Sequence, residues 1–173
     1  MKRIIPALFA ILLFSCKDSS VNNQNQNSTG MFFEIENVNY AWGIFYQGII
    51  IDPHGNEYSY NPGKDNVHFL YNSDGYYTDQ ELQSKYQHAK TYIKNIPCDS
   101  LNWSHDLATK VTTTEYSDTT RVGADMGSII YSIYIYQAQA NKYQKIVLRV
   151  EGDATFYNRS ESAIALVVWL KQL

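Results

Sequence analysis

The chain has 173 residues, with 14 lysines and arginines against 17 aspartates and glutamates, a formal charge of −3. That length fits one domain plus processing and tethering segments. The acidic balance, with no lysine/arginine cluster, argues against binding nucleic acid through its phosphates.

The first sixteen residues carry the most specific signal. Lys2 and Arg3 precede an apolar run of eleven residues, Ile4 to Phe14, interrupted only by Pro6. A bilayer span needs ~20 apolar residues, so the run is too short to cross a membrane and has the form of an export signal. Leu13-Phe14-Ser15-Cys16 resembles a lipobox, the cleavage site of bacterial lipoprotein signal peptides, with Phe14 departing from the commonest pattern. The resemblance implies a leader over 1–15 that is removed, and a Cys16 that carries acyl chains such as palmitate. Two or more chains give stable anchoring where one does not. It also implies a lipid-anchored protein of the bacterial cell envelope, at the outer membrane. Loss of Lys2 and Arg3 with the leader leaves twelve basic residues against seventeen acidic, a charge of −5. Cys98 is the one other cysteine. If Cys16 bears lipid, Cys98 has no intramolecular partner and stability rests on packing.

Residues 17–30 hold a single apolar side chain, Val21, among asparagine, glutamine, serine and charged residues. Such a segment cannot bury enough surface to offset its ordering entropy, so 16–30 is predicted to be a lipidated, disordered tether. Fourteen flexible residues reach roughly 20 Å. An Asn/Gln-rich tether after Cys16-Lys17-Asp18 is similar to those of Bacteroidetes-type lipoproteins.

Residues 31–173 are predicted to form one α+β domain. Its antiparallel sheet has four to six strands built from hairpins, with two or three packed helices. Phe33 and Ile35 alternate with Glu34 and Glu36, which reads as a half-buried strand with the glutamates outward. Tyr40 to Asp52 is apolar on both faces and reads as a central strand, in which Gly43 and Gly48 mark bulges or close approach. Pro53-His54-Gly55-Asn56 is a turn signal leading into Glu57–Asn61, and His68–Tyr71 is a short further strand. Thr78 with Glu81 fits a capping box, and Leu82, Tyr86, Ala89 and Ile93 follow at helical spacing up to Pro97. Leu101–Val111 reads as a second helix and Thr112–Gly127 as a loop.

The clearest hairpin follows. Ile129, Tyr131, Ile133 and Ile135 share one strand face, with Ser132, Tyr134 and Tyr136 on the other. In the next strand Ile146, Leu148 and Val150 oppose Lys145, Arg149 and Glu151. Asn158 or Ser160 caps a last helix that is apolar over more than half its circumference. Tyrosine-rich hairpins closing on the Gly152-Asp153 turn, followed by a Trp169-Leu170 helix, resemble small uncharacterised lipoproteins, a likeness that implies no activity.

Catalytic candidates are few. Cys98, His105 and Asp106 are the one grouping that resembles a nucleophile with its base and orienting acid. Cys98 after Pro97 also fits a structural helix-end residue. The histidines His54, His68, His88 and His105 show no i, i+3 or i+4 pairing with another ligand, and no metal or cofactor motif is present. The loop acids Glu115, Asp118, Asp125 and Asp153 fit no calcium loop. Asp99-Ser100-Leu101 and Asp118-Thr119-Thr120 match the short O-glycosylation pattern of Bacteroidetes-type envelope proteins.

Fifteen tyrosines exceed what one buried face uses. Tyr58, Tyr60, Tyr134 and Tyr136 are therefore the candidate binding residues, since exposed tyrosine suits contact with proteins or sugar rings. The first functional expectation is a non-catalytic binding module tethered through Cys16, its partner an envelope protein or glycan. The alternatives are a thiol enzyme centred on Cys98 and His105, and an envelope inhibitor or immunity protein.

Overall fold

The computed structural model describes residues 30–39, 41, 45–61, 74–86 and 91–173. The leader, Cys16 and the tether up to residue 29 lie outside the described residues, as do His68–Tyr71, Gly43, His88 and Ala89.

Nine strands and three helices are described, in the order β1 (Phe32–Asn39), β2 (Phe45–Ile51), β3 (Asn56–Tyr60), β4 (Tyr76–Tyr77), α1 (Asp79–Tyr86), β5 (Thr91–Asn95), α2 (Cys98–Ala108), β6 (Thr120–Arg121), β7 (Ser128–Gln137), β8 (Lys142–Gly152), β9 (Ala154–Tyr157) and α3 (Glu161–Leu170). The pairs are antiparallel and run β5-β3-β2-β1-β7-β8-β9-β6, with β4 also beside β8. The α+β class is as expected. The strand number exceeds the expected four to six, because short strands at the margins lack a periodic signal of their own.

The β2–β3 hairpin turns where the sequence places it. Asp52 Oδ1 accepts from the backbone N–H groups of His54 and Asn56, both at 2.9 Å, and Gly55 takes the positive φ of +82° that the turn requires. Helix α1 begins on the expected capping box. The Thr78 hydroxyl accepts from Glu81 N–H (3.2 Å), and Glu81 Oε2 accepts from Thr78 N–H (2.7 Å). It ends at Tyr86 rather than running to Pro97. Thr91-Tyr92-Ile93 is instead in strand β5 on the edge of β3, where β-branched and aromatic residues fit a pleated surface.

The sheet is covered on both faces. On one, Phe33, Ile51, Tyr131, Ile133, Ile146 and Leu148 pack with Leu101 and Ala108 of α2 and Ala163, Leu166, Val167, Trp169 and Leu170 of α3. Ser160 caps α3 by accepting from Ala163 N–H. On the other, Val38, Tyr46, Ile50, Tyr60, Tyr134 and Tyr143 pack with Tyr77 of β4 and Leu82 of α1. A bulge between β7 and β8 shifts the register by one, so Val150 sits opposite Ile130. Ile130 packs on the tyrosine face, so Val150 does not share a side with Ile146 and Leu148.

Candidate functional site

Helices α2 and α3 cover only part of their sheet face. On β1, Phe33 lies under them, with the His105 ring stacked at 5.6 Å and the Trp169 ring edge-on at 5.0 Å. Two and four residues further along the same face, Ile35 and Asn37 open into a groove of about 590 Å³. Ile35, Ile49 and Ile129 line it with Asn37, Gln47, Ser59, Asn61 and Thr91. Cross-strand pairing puts Ile35 beside Ile49 and Ser59 beside Thr91, so the apolar floor comes from the inner strands and the hydroxyls from the outer ones. Asn61 donates to Gln47 at 3.4 Å and so helps to shape one wall.

The opposite face holds a buried charge network, which the sequence reading missed. Glu34 is fully buried and Glu36 nearly so, although their alternation with Phe33 and Ile35 reads as solvent-facing. Glu34 accepts from the hydroxyls of Tyr60 (2.9 Å) and Tyr134 (2.6 Å), and Glu36 accepts from Tyr46 (3.1 Å). Lys145 bonds to Glu36 and lies 3.5 Å from Glu34. Burial pulls its ammonium pKa down, but Glu36, Glu34 and the bond to Glu36 outweigh that and hold it above the ordinary lysine value. Charges out of water persist only when so paired. The missed signal is cross-strand chemistry: the Glu-x-Glu of β1 meets Tyr134 and Lys145 about a hundred residues away.

This network corrects the expected tyrosine surface. Tyr60 is 2% exposed and Tyr134 fully buried, because their hydroxyls are drawn inward to Glu34. Tyr58 and Tyr136 are half-buried, Tyr58 edge-on to Tyr92 at 5.8 Å and Tyr136 donating to Asn141 at 2.7 Å.

The thiol grouping is not brought together. Cys98 opens α2, and His105 lies two turns on, a rise of roughly 10 Å. His105 is half-buried, and its Nε2 is enclosed without a hydrogen bond. Burial lowers its pKa. Asp106 is exposed and pairs with Lys110 at 2.5 Å rather than orienting the ring. Cys98 is not a free thiol in this structure. An unpartnered Cys98 was expected only on the condition that Cys16 carries lipid.

Asp153 accepts from Met126 and Gly127 N–H, closing the 123–127 loop. No three potential metal ligands gather among the described residues. Of the two glycosylation-like triplets, Ser100 is half-buried and accepts from the Trp169 indole at 2.9 Å, whereas Thr119 is exposed. No helix among the described residues is long and apolar enough to cross a membrane.

No protein family matches the chain, and neither a curated protein nor a solved structure resembles it.

Proposed function

We propose that the chain is a lipid-anchored bacterial envelope protein whose domain works as a non-catalytic binding module. The supporting observation is the composition of the groove. It offers an apolar isoleucine floor and amide and hydroxyl hydrogen-bonding groups. Among the described residues its lining holds no carboxylate, imidazole, thiol or amine. Such a surface recognises a ligand by shape and neutral hydrogen bonds, and it supplies no carboxylate, imidazole or amine base to activate the Ser59 or Thr91 hydroxyl. Its one phenol, Tyr60, is committed to Glu34.

The anchoring half of the reading rests on Leu13-Phe14-Ser15-Cys16. Strand β1 starts at Phe32, directly after the tether, and the groove lies further along that strand. The site would therefore be carried away from the attachment point, with ~20 Å of slack.

Both halves are open to test. Mass spectrometry of the protein from its native envelope should show a chain beginning at an acylated Cys16. A Cys16→Ala chain still recovered acylated and of mature length contradicts the anchoring. For binding, Asn37→Ala combined with Gln47→Ala should weaken retention of envelope glycan or peptide at least tenfold without moving the melting temperature. Unchanged retention removes the groove from the reading.

A further inference from the structure

The sheet face that holds the groove continues past it. Residues directly opposite one another on neighbouring strands share a face. One row runs Ile49, Ile35, Tyr131, Arg149, Tyr157 across β2, β1, β7, β8 and β9. The next runs Gln47, Asn37, Ile129, Glu151. Ile129 lines the groove, and Glu151 stands beside it. Lys171, just past α3, reaches both rows. Its ammonium lies over the Tyr131 ring at 5.4 Å and donates to Glu151 Oε1 at 2.6 Å. Arg149 Nε lies 2.5 Å from the same oxygen, and its guanidinium sits over the Tyr157 ring at 5.7 Å. Burial raises the Glu151 pKa, but the bond from Lys171 and the charge of Arg149 outweigh it and hold it below the ordinary carboxyl value. The carboxylate is therefore ionised at neutral pH. Asp153, two residues on, is turned away, its oxygens taken by Met126 and Gly127 N–H. Two cations thus share one anion, and neither makes another ion pair among the described residues. The cluster keeps one positive charge in excess, with the Arg149 and Lys171 side chains 35% and 41% exposed.

We propose that this cluster is an anion subsite of the groove, and that the groove's ligand is an oligosaccharide bearing a carboxylate. The proposal rests on the binding-module reading and names the class of its ligand. Arg149 presents a planar fork that fits a carboxylate, and Lys171 adds a point charge. A ligand carboxylate there would bring the cluster to neutrality. From Asn37 on β1 to Glu151 on β8 is two strand spacings, roughly 10 Å. One ligand reaches both ends only if it is longer than a single ring. The chemistry of the lining favours sugar over an extended peptide. A peptide strand gains affinity by backbone pairing at a sheet edge, whereas β1, β2 and β7 are each paired on both sides. The groove offers side chains instead: amides and hydroxyls around an isoleucine floor. A side-chain amide both donates and accepts, as a sugar hydroxyl does, and the floor suits the apolar face of a sugar ring.

The probe is an array of oligosaccharides bearing carboxylate, sulfate, phosphate or no charge, presented to the full chain in detergent. Carboxylated members should be retained roughly tenfold more tightly than their methyl esters, the worth of a charge-assisted hydrogen bond. For the best of them, Arg149→Gln combined with Lys171→Gln should weaken binding by roughly the same factor. Glu151→Gln, which frees both cations, should strengthen it. A variant that merely disturbed the fold would not bind more tightly. Four results would overturn the proposal. No member is retained; neutral members or methyl esters bind as well as carboxylated ones; sulfated or phosphorylated members are retained in preference; or Glu151→Gln weakens binding in a chain of unchanged melting temperature. The second result leaves the groove reading intact, because neutral binding that Asn37→Ala with Gln47→Ala abolishes still places a ligand in the groove.

Discussion

Lys145 is the residue on which the tyrosine face depends. Its ammonium answers Glu34 and Glu36, both nearly or fully out of water. Lys145→Met leaves two carboxylates without that cation, and removing one partner of a buried ion pair costs about 3–5 kcal/mol. Chemical denaturation should show a loss of that size, and a loss under 1 kcal/mol would mean that the network is solvated. The same lysine sets a pH limit. Its folded pKa lies above the unfolded value of about 10.4. Its contribution is therefore complete below that value and is lost as pH rises through the folded one. Burial also raises Tyr131 and Tyr58, which adds loss in the same direction. Unfolding midpoints should hold up to about pH 10 and fall above it, and Lys145→Arg, which does not titrate there, should flatten the fall. His105 acts at the other limit. Burial lowers its pKa below about 6.5, so its contribution is complete above that value and is lost as pH falls through the folded value. His105→Phe keeps a ring on Phe33 and should lessen the loss of stability as pH falls below about 6.5. An identical acid slope in the variant would mean that the imidazole is reached by water.

Elements with a strong local signal were legible in the sequence, and those defined by distant partners were not. The capping box of α1, the Asp52–Asn56 turn, the β7–β8 hairpin and the Ser160 cap follow from spacing alone, because each is closed by residues a few positions apart. Strand β5 read as a continuation of α1, since Ile93 falls on the helical spacing of Leu82. What places it in a strand is β3, more than thirty residues earlier. Glu34 and Glu36 read as outward for the same reason: alternation reports a difference between two faces and not which face meets water. The groove had no sequence signal, because it is the part of a sheet face that two helices leave uncovered. Gly48 was legible as a close-approach position, and the structure gives the reason. A Cβ there would lie 2.3 Å from the Ile35 carbonyl and 2.4 Å from the Tyr60 hydroxyl. Gly48→Ala should therefore displace the Tyr60 ring from Glu34 and cost about 1–3 kcal/mol, as overpacking does. A variant of native stability with the Tyr60–Glu34 bond intact in its crystal structure would contradict this.

At the scale of the molecule, the two sheet faces divide the work. The tyrosine face is closed by α1 and a paired-charge network, and the other is closed by α2 and α3 except where Ile35, Ile49 and Ile129 remain open. Opening a groove on a face otherwise devoted to the core forgoes burial that a third covering element could supply. That arrangement is accounted for if a ligand completes the face. Of the four tyrosines expected to form a binding surface, Tyr60 and Tyr134 serve the core and Tyr58 and Tyr136 are half-buried, while the groove's lining is isoleucine, amide and hydroxyl. The most direct test is amide NMR of the isotope-labelled full chain in detergent, titrated with a panel of envelope-derived peptides and glycans. The account predicts saturable shifts at Ile35, Asn37, Gln47, Ile49 and Thr91 with at least one ligand and no chemical conversion of it. Saturable shifts confined to α2 around Cys98 and His105, or turnover of any panel member, would contradict it.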